Sequence, residues 1–141
     1  MFQIIEKEKR WELNKQDKYF KGIGEKFSID ECTHSFFGVS KTYADLIVQE
    51  YGKNVGLKTV CFRAGCVTGP NHSGAKLHGF LSYLVKLSLS KKKYSLIGYK
   101  GKQVRDNLHS YDLANCFWEF YKKPKKGEVY NIGGGRFSNC S

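Results

Sequence analysis

The segment SFFGVSK, Ser35 to Lys41, places a lysine four residues after a phenylalanine. Some oxidoreductases use a tyrosine and a lysine at this spacing on one helical face, where the ammonium favours the phenolate and the hydroxyl transfers a proton. Lys41 is present, but Phe37 has no hydroxyl. The spacing therefore predicts either a catalytic helix without its usual acid and base or an ordinary helix with Lys41 on its surface.

A second group of polar residues lies in the segment RAGCVTGPNHSGAKL, residues 63–77. Its glycines and proline predict a loop. The short polar side chains of Asn71, His72 and Ser73 can bond sugar hydroxyls while neighbouring glycines let the backbone come close to a ligand. A plain turn explains the same residues equally well. Lys76 and His78 are further candidates from this region.

The elements around these residues are predicted to alternate between helix and strand. Apolar residues at helical spacing predict a helix from about Phe36 to Lys53, capped by Ser35 and ended by Gly52 or Gly56. The other predicted elements are a strand at 57–62, a helix at 78–90, a strand at 94–99, a helix after Ser110 and a strand at 128–135, with residues 1–34 mostly loop. This order predicts an α/β fold with a parallel sheet, whose ligand crevice is lined by the loop at 63–77.

The composition indicates a folded protein with a strongly basic surface. The 141 residues include 24 Lys and Arg against 13 Asp and Glu, a net charge of +11. Basic charge favours nucleic acid as a partner, but no nucleic-acid-binding motif accompanies it, so we expect a solvated lysine surface and no nucleic-acid or membrane partner. Five scattered cysteines form no CxxC pair and predict free thiols, no metal site and a cytoplasmic location.

Four motifs in one order resemble a known family. FGVSK, CFRAGCVTGPNHSG, GKQVRDNLHSYDLANCFW and EVYNIGGG are similar to the second half of an extended short-chain dehydrogenase/reductase, within the NAD-dependent epimerases and dehydratases of nucleotide sugars. The wording of GPNHSGAKLHGFLSYLVK and GYKGKQVRDNLHSYD most resembles the CDP-paratose 2-epimerase (CDP-tyvelose epimerase) branch. The resemblance implies a partial Rossmann-like parallel sheet with the smaller substrate-binding part of such an enzyme.

The resemblance also implies roles for particular residues. Lys41 would bond the nicotinamide ribose of NAD, and Phe37 stands where the family has its catalytic tyrosine. The segment containing Arg63, Gly65 and Cys66 would border the cofactor. The substrate residues implied are Asn71, His72, Ser73, His78 and Arg105. Guanidinium suits the nucleotide part of a CDP-sugar because its planar donors can engage two oxygens, whereas Asp106 and His109 are expected to hold the turn before the following helix.

In this family the cofactor pyrophosphate is bound by a glycine-rich turn between a strand and a helix. This sequence has no such turn, since KGIGEKF, residues 21–27, follows no predicted strand. We therefore expect residues 1–141 to be the C-terminal portion of an epimerase/dehydratase domain, a fragment begun late and cut early. A sheet cut in this way exposes an edge and an apolar helix face, which predicts marginal stability or self-association. A homodimer through the helix at 36–53 is also expected from the resemblance.

Three functions remain open from the sequence. The first is NAD-dependent epimerisation of a nucleotide sugar at C2 through a transient ketone. The second is a non-catalytic remnant that retains a sugar-nucleotide-binding surface. The third, suggested by charge alone, is a basic nucleic-acid-binding module.

Overall fold

The computed structural model describes residues 2–30, 32–76 and 78–135. The strands are β1 (Ile4–Glu6), β2 (Trp11–Leu13), β3 (Val60–Ala64), β4 (Cys66–Thr68), β5 (Asn107–His109) and β6 (Glu128–Ile132). The helices are α1 (Phe36–Lys53), α2 (Phe80–Leu89) and α3 (Ser110–Lys122), with a 3₁₀ turn at Tyr99–Gly101. The predicted α/β class is confirmed, and no helix in the described ranges has the length and apolarity needed to cross a bilayer.

The chain divides into two compact units. Among the described residues, unit 1 comprises Ile23–Arg63 and Ala114–Ile132, and unit 2 comprises Phe2–Gly22, Ala64–Leu113 and residues 133–135.

In unit 1, β3 pairs with β6 and α1 packs against this pair. The Thr59 hydroxyl donates to the Val48 carbonyl of α1 at 2.9 Å. Phe62 on β3 contacts Phe117 edge-on, at 5.0 Å between ring centroids, and stacks on Tyr130 of β6 at 6.1 Å. The bond between Thr59 and Val48 ties the helix that carries Phe37 and Lys41 to the start of β3, and the ring contacts join β3 to α3 and β6.

The ends of α1 agree with the prediction at Ser35, and of the two glycines predicted for the other end, Gly56 follows the helix with φ 82° whereas Gly52 lies inside it. The Ser35 hydroxyl accepts from the Gly38 amide at 3.0 Å, as predicted for an N-cap. Gly52 does not end the helix, which continues through Lys53. A Cβ at Gly52 would lie 2.3 Å from the Gly127 backbone, so the glycine serves close packing rather than termination.

In unit 2, β4 and β5 form a parallel pair with Val67 opposite Leu108, which is the expected parallel arrangement. Leu108 is buried, with 6% of its surface exposed. β1 and β2 form an antiparallel hairpin. Asp17 fixes the chain beside the hairpin because its carboxylate accepts from the Gln3 and Tyr19 amides, and these bonds hold the pKa of Asp17 below its usual value.

Residues 1–34 are mostly loop where the structure describes them, as predicted, but they also contain the hairpin, whose three-residue strands are too short and too charged to show clear alternation. Two other element predictions were wrong. The segment 63–77 is not all loop, because β3 extends to Ala64 and β4 follows it. No strand forms at 94–99, where Gly98 has φ 127° and the chain then enters the 3₁₀ turn.

Candidate functional site

Phe37 and Lys41 lie one helical turn apart near the start of α1. The Lys41 Nζ is 5.3 Å from the centroid of the Phe37 ring, a cation–π contact. The ring is 71% exposed. The predicted pairing of these positions is present in the structure, and the ammonium faces an aromatic ring that can neither donate nor accept a proton.

Arg63 forms an ion-pair network inside unit 1. Its Nε and Nη2 donate to the two carboxylate oxygens of Asp45 at 2.9 and 2.8 Å, and its Nη1 donates to the Glu25 carbonyl at 2.9 Å. The Glu25 carboxylate in turn accepts from the Asn131 amide at 2.9 Å. The Arg63 guanidinium holds the pKa of Asp45 below its usual value. All three guanidinium nitrogens of Arg63 are therefore engaged within the protein.

Asp45 and Glu25 were not predicted as partners of Arg63 from the sequence. A usable signal was present for the first of them, because Asp45 is an acid within a helix and Arg63 a base at the end of an apolar strand. Partly buried charges are normally paired, so such an acid and base are candidates for each other.

Gly65 and Cys66 lie where β3 passes into β4. The Cys66 amide donates to the Asp106 carbonyl at 2.7 Å. A Cβ at Gly65 would lie 2.5 Å from that carbonyl oxygen, so the approach requires glycine. The Asp106 side chain accepts from the Gly134 amide at 2.8 Å. Asp106 thus ties the start of β4 to the glycine turn after β6, in agreement with its expected structural role.

The polar loop after β4 is folded around its histidines. The His72 amide donates to the Gly69 carbonyl at 3.0 Å, and the His72 and His78 rings meet edge-to-face at 6.0 Å. The His72 Nδ1 is buried and has no hydrogen-bond partner among the described residues. Asn71 and Ser73 are exposed beside it. The loop brings three of these polar side chains, those of residues 71–73, together with His78 in one region of unit 2.

An open cleft of about 620 Å³ lies beside this loop, within unit 2. Its polar lining includes Thr68, His72, Ser82, Lys86 and His109. The Thr68 and Ser82 hydroxyls are 3.3 Å apart, within hydrogen-bond distance. Hydroxyl, imidazole and ammonium groups suit a ligand that has both hydroxyls and negative charge. Thr68, Ser82 and Lys86 were not predicted as site residues.

Arg105 precedes β5 and its side chain is exposed. Its guanidinium donates to the neighbouring Val104 carbonyl at 3.1 Å. His109 Nδ1 accepts from the Tyr111 amide at 3.1 Å. That contact fits the expectation that His109 holds the turn before α3.

The candidate residues are distributed between the two units. Phe37, Lys41 and Arg63 belong to unit 1. The candidates in unit 2 are Gly65, Cys66, Asn71, His72, Ser73, His78 and Arg105.

Known proteins similar to this chain include epimerases and dehydratases of nucleotide sugars. CDP-paratose 2-epimerase from Salmonella typhi is 28% identical over 135 residues, which cover 89% of this chain and 40% of that protein. The crystal structure of dTDP-glucose 4,6-dehydratase from Bacillus anthracis, in complex with NAD, is 28% identical with a TM-score of 0.67 and covers 87% of this chain and 39% of that one.

A third similar protein is a Tyr-to-Phe variant of UDP-glucuronic acid 4-epimerase from Bacillus cereus, solved with UDP-4-deoxy-4-fluoro-glucuronic acid and NAD. It is 28% identical with a TM-score of 0.65, and the match covers 87% of this chain and 38% of that one. This chain therefore spans about two fifths of the length of each of these relatives.

The model of the NAD-dependent epimerase/dehydratase family matches residues 21–133, a span that contains both Lys41 and Arg105. The α/β fold agrees with this match, and the family is one of NAD-dependent enzymes. This chain belongs to the NAD-dependent epimerase/dehydratase family.

Proposed function

We propose that this chain is the nucleotide-sugar-binding portion of an NAD-dependent epimerase that inverts C2 of a CDP-sugar of the CDP-paratose/CDP-tyvelose type. The observation that carries the proposal is the similarity to CDP-paratose 2-epimerase over 89% of the chain. The exposed guanidinium of Arg105 supports it, since guanidinium is suited to bidentate contact with phosphate oxygens.

In this proposal Arg105 binds the nucleotide diphosphate, and Asn71, His72, Ser73 and His78 bond the sugar hydroxyls. C2 of the sugar would lose a hydride while its hydroxyl loses a proton, which leaves a ketone; the hydride would then return to the opposite face and the oxygen would regain a proton. NAD supplies the hydride acceptor when it is bound. Gly65 and Cys66 border the cofactor, and Arg63 acts indirectly, by fixing Asp45 on the helix that carries Lys41.

The side chains fit one end of NAD better than the other. Lys41 presents an exposed ammonium that can bond a ribose hydroxyl. No Gly-x-x-Gly-x-x-Gly turn for the pyrophosphate occurs in the sequence. We propose that this chain contributes the lysine and that a different polypeptide segment contributes the pyrophosphate grip.

A second candidate function is binding of the nucleotide sugar without turnover, favoured by Phe37. The reaction requires a group to take the sugar hydroxyl proton, and the ring beside Lys41 has no atom for this. Tyr43 is two residues from Lys41, on a different face of the helix. The Tyr-to-Phe variant of the B. cereus epimerase, solved with NAD and a nucleotide sugar, is a precedent for ligand binding in this fold with one tyrosine replaced.

Calorimetry with CDP, UDP and NAD tests the binding part of both functions. CDP is expected to bind more tightly than UDP, and Arg105→Gln is expected to weaken CDP binding while Lys41→Gln leaves it unchanged. Equal affinity for CDP and UDP would contradict the proposal that the substrate is a CDP-sugar. NAD binding by the isolated chain would show that the proposed division of the cofactor site is wrong.

Turnover separates the two functions. The wild type, Phe37→Tyr and the control Phe36→Tyr are each combined with a polypeptide that carries the glycine-rich cofactor-binding half of a family member, and inversion at C2 of a CDP-sugar in the presence of NAD is followed by NMR. Under the non-catalytic reading the wild type is inactive. Activity that appears in Phe37→Tyr alone would identify position 37 as the proton carrier, whereas an active wild type would exclude the non-catalytic reading.

We further propose that two copies pair through α1. The outward face of this helix carries large apolar side chains that are 38–98% exposed: Phe36, Val39, Tyr43, Leu46, Ile47 and Tyr51. The charges of α1 balance, with Lys41 and Lys53 against Asp45 and Glu50, so pairing of two helices meets little local repulsion.

Sedimentation is expected to show a dimer that Tyr43→Glu disrupts and Lys122→Glu does not. A cooperative thermal transition from a wild-type monomer would contradict both the pairing and the expected marginal stability.

A cytoplasmic location is proposed from the cysteines. Cys32, Cys61, Cys66 and Cys116 are free thiols, and burial is the main cause that raises the pKa of Cys61. Cys140 lies outside the described residues. Free, partly buried thiols suit a reducing compartment.

A further inference from the structure

The turn before Arg105 has an unfavourable backbone. Lys100 lies in the left-handed region, with φ 49° and ψ 20°, between Gly98 at φ 127° and Gly101 at φ 64°. A residue with a Cβ disfavours this region by about 1 kcal/mol, so it persists where surrounding contacts determine it. The sequence alone predicted a strand here, so these contacts decide the conformation.

The β1–β2 hairpin supplies those contacts. The Trp11 amide donates to the Lys102 carbonyl at 3.2 Å. The Lys102 ammonium donates to the Glu6 carboxylate at 2.6 Å and to the Lys7 carbonyl at 2.8 Å, and its side chain is only 13% exposed. The Trp11 and Tyr99 rings pack at 5.7 Å between centroids. The hairpin therefore engages the turn through its backbone, a shielded ion pair and a ring contact.

Arg105 lies between two anchored positions. On one side Lys102 is bonded to the hairpin, and on the other Asp106 accepts from the Cys66 and Gly134 amides at 2.7 and 2.8 Å. Only residues 103 and 104 separate Arg105 from the hairpin-bound lysine. The backbone that carries the exposed guanidinium is thus restrained from both ends before any ligand binds.

We propose that the hairpin is a clamp that pre-positions Arg105 for a nucleotide diphosphate, with Glu6 and Lys102 as positioning residues. The proposal rests on the proposed function in one respect, the contact between Arg105 and the nucleotide. A restrained arginine loses less conformational freedom on binding, and affinity increases accordingly. The family match begins at residue 21, so the hairpin is additional to the segment that identifies the family.

The first experiment measures CDP affinity by calorimetry in the full chain. Glu6→Gln and Lys102→Gln are each expected to weaken CDP binding by about tenfold, because the freed turn must be ordered at binding. The exchanged pair Glu6→Lys with Lys102→Glu is expected to restore part of the affinity, because it restores the ion pair between these positions but not the bond to the Lys7 carbonyl, and it places the new lysine beside Lys100. Lys122→Gln, which removes the ion pair with Glu119 on α3, is the matched control and is expected to leave the affinity unchanged. Unchanged affinity in both single variants would overturn the clamp.

The second experiment tests, without a ligand, whether the Glu6–Lys102 ion pair holds the hairpin against the turn. Exchange of the Trp11 amide, which is bonded to Lys102, is expected to be faster in Glu6→Gln than in the wild type, while amides of α3 exchange equally in both. The fluorescence of Trp11, isolated by Trp118→Phe, is expected to change with the same variant. Equal Trp11 exchange in the two proteins would also overturn the clamp.

Arg105→Gln distinguishes failure of the clamp from failure of the proposed function. CDP affinity that is insensitive to Arg105→Gln would remove the nucleotide contact on which the proposed function relies. CDP affinity that responds to Arg105→Gln but not to Glu6→Gln would remove only the clamp. Sensitivity to both substitutions, with partial rescue by the exchanged pair, is the result expected.

Discussion

The two faces of α1 differ in composition and in exposure: small and polar groups face the strands, and large apolar side chains are exposed. The inner face meets β3 and the segment before β6 through small and polar groups: Asp45 pairs with Arg63, the Val48 carbonyl accepts from Thr59, and Gly52 approaches Gly127. The outer face carries the six large apolar side chains named above, which are at least 38% exposed. An amphipathic helix normally covers its apolar face and exposes its polar one.

This difference indicates that close approach and a charge pair hold α1 in unit 1, whereas its apolar face is only partly covered in the single chain. Full burial of a large apolar side chain contributes about 1.5–3 kcal/mol. A covering surface would therefore stabilise α1 considerably, and contiguous apolar exposure of this kind marks an interaction site. Substitutions on the inner face should therefore lower the free energy of unfolding of the monomer, whereas substitutions on the outer face should change it little.

The largest effect is expected from Gly52→Val on the inner face. Its side chain would collide with the Gly127 backbone and with the Thr59 hydroxyl, and overpacking against backbone should lower the free energy of unfolding by about 3 kcal/mol. Urea denaturation followed by circular dichroism measures the change. Gly38→Ala is the control, because a Cβ there meets only ordinary contacts, the nearest 3.5 Å away, and alanine favours the helix. Equal stability of the two variants would contradict the close-packing interpretation.

An intermediate effect is expected from Arg63→Gln. The change removes the bidentate pair and leaves the partly buried Asp45 carboxylate without its cation, at a cost of about 1–2 kcal/mol, kept low because the Arg63 side chain is 36% exposed. The exposed pair of Lys122 and Glu119 provides the control, and Lys122→Gln should change stability by less than about 0.5 kcal/mol.

The pH dependence of that difference has a defined sign. Arg63 lowers the pKa of Asp45, so the pair stabilises the fold above the ordinary carboxyl pKa and loses this contribution as pH falls through the lowered value. The gap in unfolding free energy between the wild type and Arg63→Gln should therefore be widest near neutrality and shrink in acid. A gap that widens in acid would show that another group dominates.

The smallest effect on monomer stability is expected from Tyr43→Ser on the outer face. Tyr43 is 67% exposed, so removing its ring should change the free energy of unfolding by less than about 0.5 kcal/mol at concentrations where the chain is monomeric. Denaturation at several protein concentrations makes the comparison. A large loss in the monomer would mean that the outer face is covered within the single chain.

Local patterns predicted the elements that have strong local signals. The bounds of α1 and its Ser35 cap were correct because apolar spacing and a capping side chain act within a few residues. The hairpin and the turn at Tyr99–Gly101 were not predicted because they are joined by contacts between distant residues: the Trp11 amide donates to the Lys102 carbonyl, and the Trp11 ring packs against Tyr99. Such long-range pairs leave no period in the sequence.

The candidate site divides in the same way. The contact between Lys41 and Phe37 follows from their spacing on one helix, so the missing hydroxyl could be recognised from sequence. The engagement of Arg63 with Asp45 and Glu25 could not, because these residues are 18 and 38 positions away from it. The cofactor and substrate roles of the site residues remain predictions.

By itself the sequence determined the α/β class, the family, the helix that carries Lys41 and the absence of a proton carrier at position 37, since each is a property of residue type or local spacing. Only the tertiary structure decided which face of α1 is covered and what holds the segment before Arg105. The physical reason is that periodicity specifies that a helix has two faces, whereas the choice of partner depends on steric fit and charge pairing between residues far apart in the chain.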